Sequence, residues 1–193
     1  ILASAGVLLT AFATGALCKL VLGFEWLESL LIGAVISSTD AASVFSVLRS
    51  KKLNLRYGTA SILELESGSN DPWAYMLTVI ILSVMKGGAT AGGFVVSLLA
   101  QVFFGVGFGA LISLGAVYLI KRVRFDAAGF DAIFVTAIAI LSYALPSAVG
   151  GNGYLSCYIV GIVLGNTKIS GKTALVHFFD GITGFTQILL FFL

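Results

Sequence analysis

A chain of 193 residues in which 59% are hydrophobic and 10% charged is too apolar for an ordinary soluble domain, where about a quarter of residues carry charge. Its net charge of +2, with no basic run interleaved with stacking aromatics, sets nucleic acid aside as a partner. The mean hydropathy is +1.07, and several apolar runs exceed the roughly 18 residues a helix needs to cross a bilayer. With 23 glycines against 2 prolines, the composition fits closely packed membrane helices. The expected fold is all-α and polytopic, embedded in the lipid bilayer.

Seven helical passes are predicted in chain order, at about 1–22, 27–48, 59–85, 92–120, 130–149, 154–166 and 178–193. The sixth is short for a full crossing, which implies tilt or local thinning. They form one transmembrane domain without an intervening soluble module. The sequence begins at Ile1 inside one apolar run and stops at Leu193 inside another, so it reads as a piece of a longer, transporter-sized chain. No signal peptide is visible. Cys18 and Cys157 both lie in apolar runs and read as reduced, small apolar residues.

The loops set an orientation. Arg49, Lys51, Lys52 and Arg56 follow the second run, Lys121, Arg122 and Arg124 the fourth, and Lys168 and Lys172 the sixth. These loops (49–56, 121–124 and 168–172) fall on one side and hold nine of the eleven basic residues. The positive-inside rule places them in the cytoplasm, for a multi-pass membrane protein. The opposite loops hold Glu25 and Glu28, then Lys86, then the neutral Gly150-Gly-Asn-Gly153.

Ionisable residues at mid-membrane cost at least a few kcal/mol and mark function by default. Asp40 lies in the second run, in Ser37-Ser-Thr-Asp40, and Asp71 in the third, in Glu64-Leu-Glu66-Ser-Gly-Ser-Asn70-Asp71-Pro72. At about 1.5 Å per residue, Asp71 falls roughly 20 Å from either end of its helix. Asp40 lands at a similar depth on the antiparallel neighbour. Glu66, Ser67, Asn70 and Asp71 share one side of the third helix, which must turn away from lipid. Pro72 has no N–H and leaves the Gly68 carbonyl without its helical donor. The Ser37-Ser38-Thr39 hydroxyls offer a place to interrupt the second helix, and interrupted helices expose carbonyls to ions at the midplane. Free carbonyls, hydroxyls and a carboxylate suit a hard alkali cation. Burial raises a carboxyl pKa and a bound cation lowers it, so one carboxylate could hold a proton or a cation alternately, the chemistry of antiport. A purely structural role weighs evenly against function for Asp40 and is the weaker reading for Asp71.

Other features read as structural. Gly105, Gly107, Gly109, Gly161 and Gly165 suggest close helix packing. His177, taken as the start of the last helix near the membrane surface, is an interfacial residue with no metal-site partner.

Gly33-Ala-Val-Ile-Ser-Ser-Thr-Asp40 followed by Leu63-Glu-Leu-Glu-Ser-Gly-Ser-Asn-Asp71-Pro resembles the bacterial monovalent cation:proton antiporter-1 family of the sodium/proton exchanger superfamily. The wording is most similar to its potassium/proton branch. Gly150-Gly-Asn-Gly-Tyr-Leu-Ser-Cys-Tyr-Ile-Val-Gly-Ile-Val-Leu-Gly-Asn166 looks like a later helix of the same family. The resemblance spans the whole chain in order. It implies a thirteen-helix, inverted-repeat transporter, of which this chain holds about helices four to ten, lacking the N-terminal helices and the C-terminal half. It implies a homodimer with a mobile core, and a helix interrupted near Thr39-Asp40. By this resemblance Asp71 carries the cation or proton, Ser67 ligates the ion, and Thr39 contributes at the helix break. Asn70 and Asp40 hold the two helices together, and Glu66 pairs with an Arg beyond residue 193. Asn at position 70 looks like the electroneutral members. Ala41 departs from the family, where Pro often follows the Thr-Asp pair.

The function expected is thus a secondary active K+ or Na+/proton antiporter. It is not an enzyme and has no cofactor beyond the transported ions. The competing readings are a cation channel, which would show a repeated pore-lining stripe rather than one polar cluster, and a non-transporting membrane scaffold. An intramembrane aspartyl protease stands further off, because Gly68-Ser-Asn-Asp71 lacks the second glycine of such sites.

Overall fold

The computed structural model describes residues 2–40, 55, 58–87, 91–122, 129–169 and 171–193, and all regular elements among them are helical. In order they are α1 (Val7–Leu17), α2 (Trp26–Ile36), α3 (Thr59–Met85), α4 (Ala91–Arg122), α5 (Phe130–Ala148), α6 (Gly153–Asn166) and α7 (Lys172–Phe192). Wider π-helical turns at Leu2–Gly6 and Cys18–Leu22 extend α1 at both ends. Among the described residues, four stretches are long and apolar enough to cross a membrane: Ala3–Leu22, Val95–Arg122, Phe130–Ala148 and Lys172–Phe192. Their large side chains stay on the outside, as Leu9, Phe103, Leu114, Ile140 and Phe191 do, because lipid solvates them as well as a protein core would.

What lies inside is small. α1 buries Val7, Ala11 and Gly15, one residue per turn, against Ser29, Gly33 and Ala34 of α2. A Cβ at Gly33 would overlap the Ala11 carbonyl oxygen, so only glycine lets the two backbones meet. α4 presents Gln101, Gly105, Ser113 and Ala116 to the stripe Gly153, Ser156, Val160 and Leu164 of α6. A Cβ at Gly105 would lie 2.9 Å from the Asn152 carbonyl, and one at Gly109 3.1 Å from the Ser156 Cα. The helices therefore form two groups, α1–α3 and α4–α6, with α3 also reaching α4 and α6.

The structure corrects several expectations from sequence. Gly107, Gly161 and Gly165 have no atom within 4 Å of a Cβ position, so they are not packing glycines. Gly161 and Gly165 instead line an open cavity of about 370 Å³ between α5, α6 and α7, on the side of α6 turned from α4. The last helix starts at Lys172, and His177 lies within it rather than at its start. Gly171 at φ +72° ends the preceding segment, and Lys172 reaches back to the Gly165 carbonyl at the end of α6. The second helix stops at Ile36, well short of residue 48. Residues 41–48 of that run lie outside the described residues, as do Arg49, Lys51, Lys52, Arg56 and Arg124 of the basic loops.

Candidate functional site

α2 opens with a capping box, in which Glu25 and Glu28 each accept from the other's end of the first turn. It ends eleven residues later because hydroxyl side chains compete for its backbone. Ser37 donates its hydroxyl to the Ala34 carbonyl at 2.6 Å, and its N–H turns to the same carbonyl at 3.3 Å. Ser38, Thr39 and Asp40 then run without helical hydrogen bonding. An interruption is expected near Thr39-Asp40, and α2 ends just before it; the residues after Asp40 lie outside the described residues.

The freed segment lies against the middle of α3. The Thr39 carbonyl accepts from the Ser67 hydroxyl at 3.0 Å and from the Asn70 amide at 3.1 Å. The same amide reaches the Thr39 hydroxyl at 2.5 Å. Ser38 donates to the Asp71 carboxylate, and its oxygen lies 3.3 Å from Asn70 Oδ1. Asn70 is 1% exposed, whereas Asp71, Thr39 and Asp40 are exposed along the edge of the bundle. A buried amide thus pins the broken segment while the carboxylate beside it stays accessible.

Of the residues singled out from sequence, Thr39, Ser67 and Asn70 are joined directly, and Asp71 is tied to the same segment through Ser38. Asp40 follows Thr39 in the same extended segment. Pro72 is buried on the far side of α3, and its carbonyl accepts from Asn152 at 3.0 Å. Glu66 lines a separate cavity of about 520 Å³ with Ser4, Ser61, Ser69 and Trp73, away from Asp71.

Three further residues take part in the arrangement without having been assigned a site role of their own from sequence. Ser38 was legible as part of the hydroxyl run, since it stands one residue from Thr39. Asn152 had a signal, an Asn ahead of an apolar run; its side chain accepts from the Leu155 N–H and caps α6. Tyr158 gave none. Its hydroxyl donates to the Leu65 carbonyl at 3.2 Å, and its ring lies over Gly68, where a Cβ would be 2.6 Å from the ring edge.

The assembled donors are all oxygen: one carboxylate, hydroxyls from Ser38, Thr39 and Ser67, and the Thr39 carbonyl. Such a set suits a proton or an alkali cation, whose hydration shell is replaced by carbonyl and hydroxyl oxygens. The model for "Sodium/hydrogen exchanger, transmembrane" matches residues 1–193. The chain belongs to the sodium/hydrogen exchanger family. It is similar to the K(+)/H(+) antiporter NhaP2 of Shewanella oneidensis, with 38% identity over 98% of this chain and 33% of that protein. The K(+)/H(+) antiporter NhaP of Alkalimonas amylolytica is 36% identical over 98% of this chain and 33% of its own length. The Na(+)/H(+) antiporter NhaS2 of a Synechocystis species is 28% identical over 93% and 34%. The chain thus spans about a third of the length of the curated relatives it matches. In this exchanger-family chain, the polar centre falls between α2 and α3, within an all-α, multi-pass membrane domain.

Proposed function

We propose that these residues form part of a K+/proton antiporter in which Asp71 holds a proton or a cation alternately, in a one-for-one, electroneutral exchange. Ser67 and Thr39 supply further oxygens to the ion, while Asn70, Asp40, Glu66 and Pro72 shape the site. One observation carries the reading. α2 ends at Ile36, and beyond it the Thr39 carbonyl meets Ser67 and Asn70 beside the accessible Asp71, at the middle of α3. A structural carboxylate would need no broken helix opposite it.

Potassium is favoured over sodium because the relatives with 36–38% identity are named for K+ and the one at 28% for Na+. The protein would act as a homodimer in the bacterial plasma membrane, with loops 49–56, 121–124 and 168–172 in the cytoplasm. The test uses the full-length protein in everted vesicles containing a pH-sensitive dye. Addition of K+ should release protons, and Asp71→Asn should abolish the release. Flux that survives in the variant removes Asp71 as the carrier.

A further inference from the structure

At about 100° per residue, Ser67, Asn70 and Asp71 fall on one side of α3, and Leu65, Gly68, Ser69 and Pro72 on the opposite side. The first side meets the broken end of α2. The second is gripped by α6, which runs antiparallel to it. Tyr158 donates to the Leu65 carbonyl at 3.2 Å, and its hydroxyl lies 3.0 Å from Ser69 Oγ. Asn152 Nδ2 donates to the Pro72 carbonyl at 3.0 Å. The two grips bracket the stretch that carries the ion-site residues. That stretch contains the weak point of the helix, because Pro72 cannot donate to Gly68.

Asn152 is 0% exposed, and each of its four polar groups is engaged. Its N–H donates to Gln101 on α4 at 3.1 Å, and its carbonyl accepts from Ser156 at 3.2 Å. Its Oδ1 accepts from the Leu155 N–H at 3.0 Å. The cap needs only that acceptor, which Ser or Asp would supply equally well. The amide donor is surplus to capping, and it goes to the carbonyl of the residue that follows Asp71.

We propose that Asn152 and Tyr158 are positioning residues for the cation site, bracing α3 from behind so that Ser67 and Asp71 keep their depth and rotation against Thr39. The inference rests on the assignment of Asp71 as the ion carrier. In the full-length protein in proteoliposomes, Asn152→Ser keeps a cap acceptor but is too short to reach Pro72. It should raise the half-saturating K+ concentration about fivefold, the scale of one lost buried hydrogen bond, and leave the maximal rate within about twofold of wild type. Tyr158→Phe keeps the ring over Gly68 and should raise it about two- to threefold. Amides across 65–72 should exchange hydrogen for deuterium faster in both variants. Unchanged half-saturation in Asn152→Ser overturns the proposal, as does a fall confined to maximal rate and folded yield, which would make Asn152 a cap alone. Antiport that persists in Asp71→Asn overturns the carrier assignment instead. The exchange rates across 65–72 then decide the brace separately, faster supporting it and unchanged refuting it.

Discussion

Replacing Asn70 with Ala removes the amide that holds the broken segment of α2 to α3. Two hydrogen bonds are lost, to the Thr39 carbonyl at 3.1 Å and to its hydroxyl at 2.5 Å. The 3.3 Å approach of Ser38 to Asn70 Oδ1 adds little, since that hydroxyl is already engaged by Asp71. The Thr39 carbonyl keeps Ser67 as a donor, so it is not orphaned. At about 1 kcal/mol per bond the direct loss is about 2 kcal/mol, and the void left at a residue 1% exposed adds up to about 1 kcal/mol. A loss of ~2–3 kcal/mol in the proposed ion site corresponds to a rise of roughly 30- to 150-fold in the half-saturating K+ concentration. Proton release from everted vesicles over a K+ titration measures this directly. The K+-dependent rise in melting temperature of the purified protein should shrink in parallel. A half-saturation within about threefold of wild type, with the K+-dependent shift intact, would refute the claim that Asn70 holds the site together.

Ser38→Ala removes one donor to the Asp71 carboxylate and should weaken K+ activation by about three- to tenfold without lowering the melting temperature; a binding titration checks it. Gly33→Ala should act on stability instead. Its Cβ would meet the Ala11 backbone, which no rotamer change can relieve, so α1 and α2 must separate at a cost of roughly 1–3 kcal/mol. Gly107→Ala, with open space at its Cβ position, is the matched control, and thermal melts of the two should differ clearly.

Local chemistry made the centre of the site legible. Four consecutive residues with side chains that bind their own backbone, Ser37 to Asp40, announce a helix break. The spacing of Ser67, Asn70 and Asp71 then announces the face that must meet it. The start of α7 was less legible because apolar content, rather than Gly171, was used to place it, and Lys172 reads as a loop charge until its contact with Gly165 is seen. The packing glycines could not be sorted by pattern, since Gly105 and Gly109 differ from Gly107 only in which neighbour each faces. The contacts of Asn152 and Tyr158 with α3 were invisible for a stronger reason. Their partners on α3 are 80 and 93 residues away in the chain, and no periodicity within one helix encodes which distant carbonyl a side chain will find.

That separation imposes an order on biogenesis. The contacts of Thr39 with Asn70 span 31 residues and can close once α3 has entered the membrane. The bond from Asn152 to Pro72 spans 80 residues, and its later partner is made 82 residues after Asn70, so at ~5–20 residues per second of synthesis it comes roughly 4–16 s later than that first closure. During the interval the nascent α3 has its contacts with the end of α2 but not the bond from Asn152 to Pro72. Until α6 arrives, therefore, the Pro72 carbonyl lacks the donor that Asn152 later supplies, and the contacts on the two sides of α3 are separated in time as well as in space.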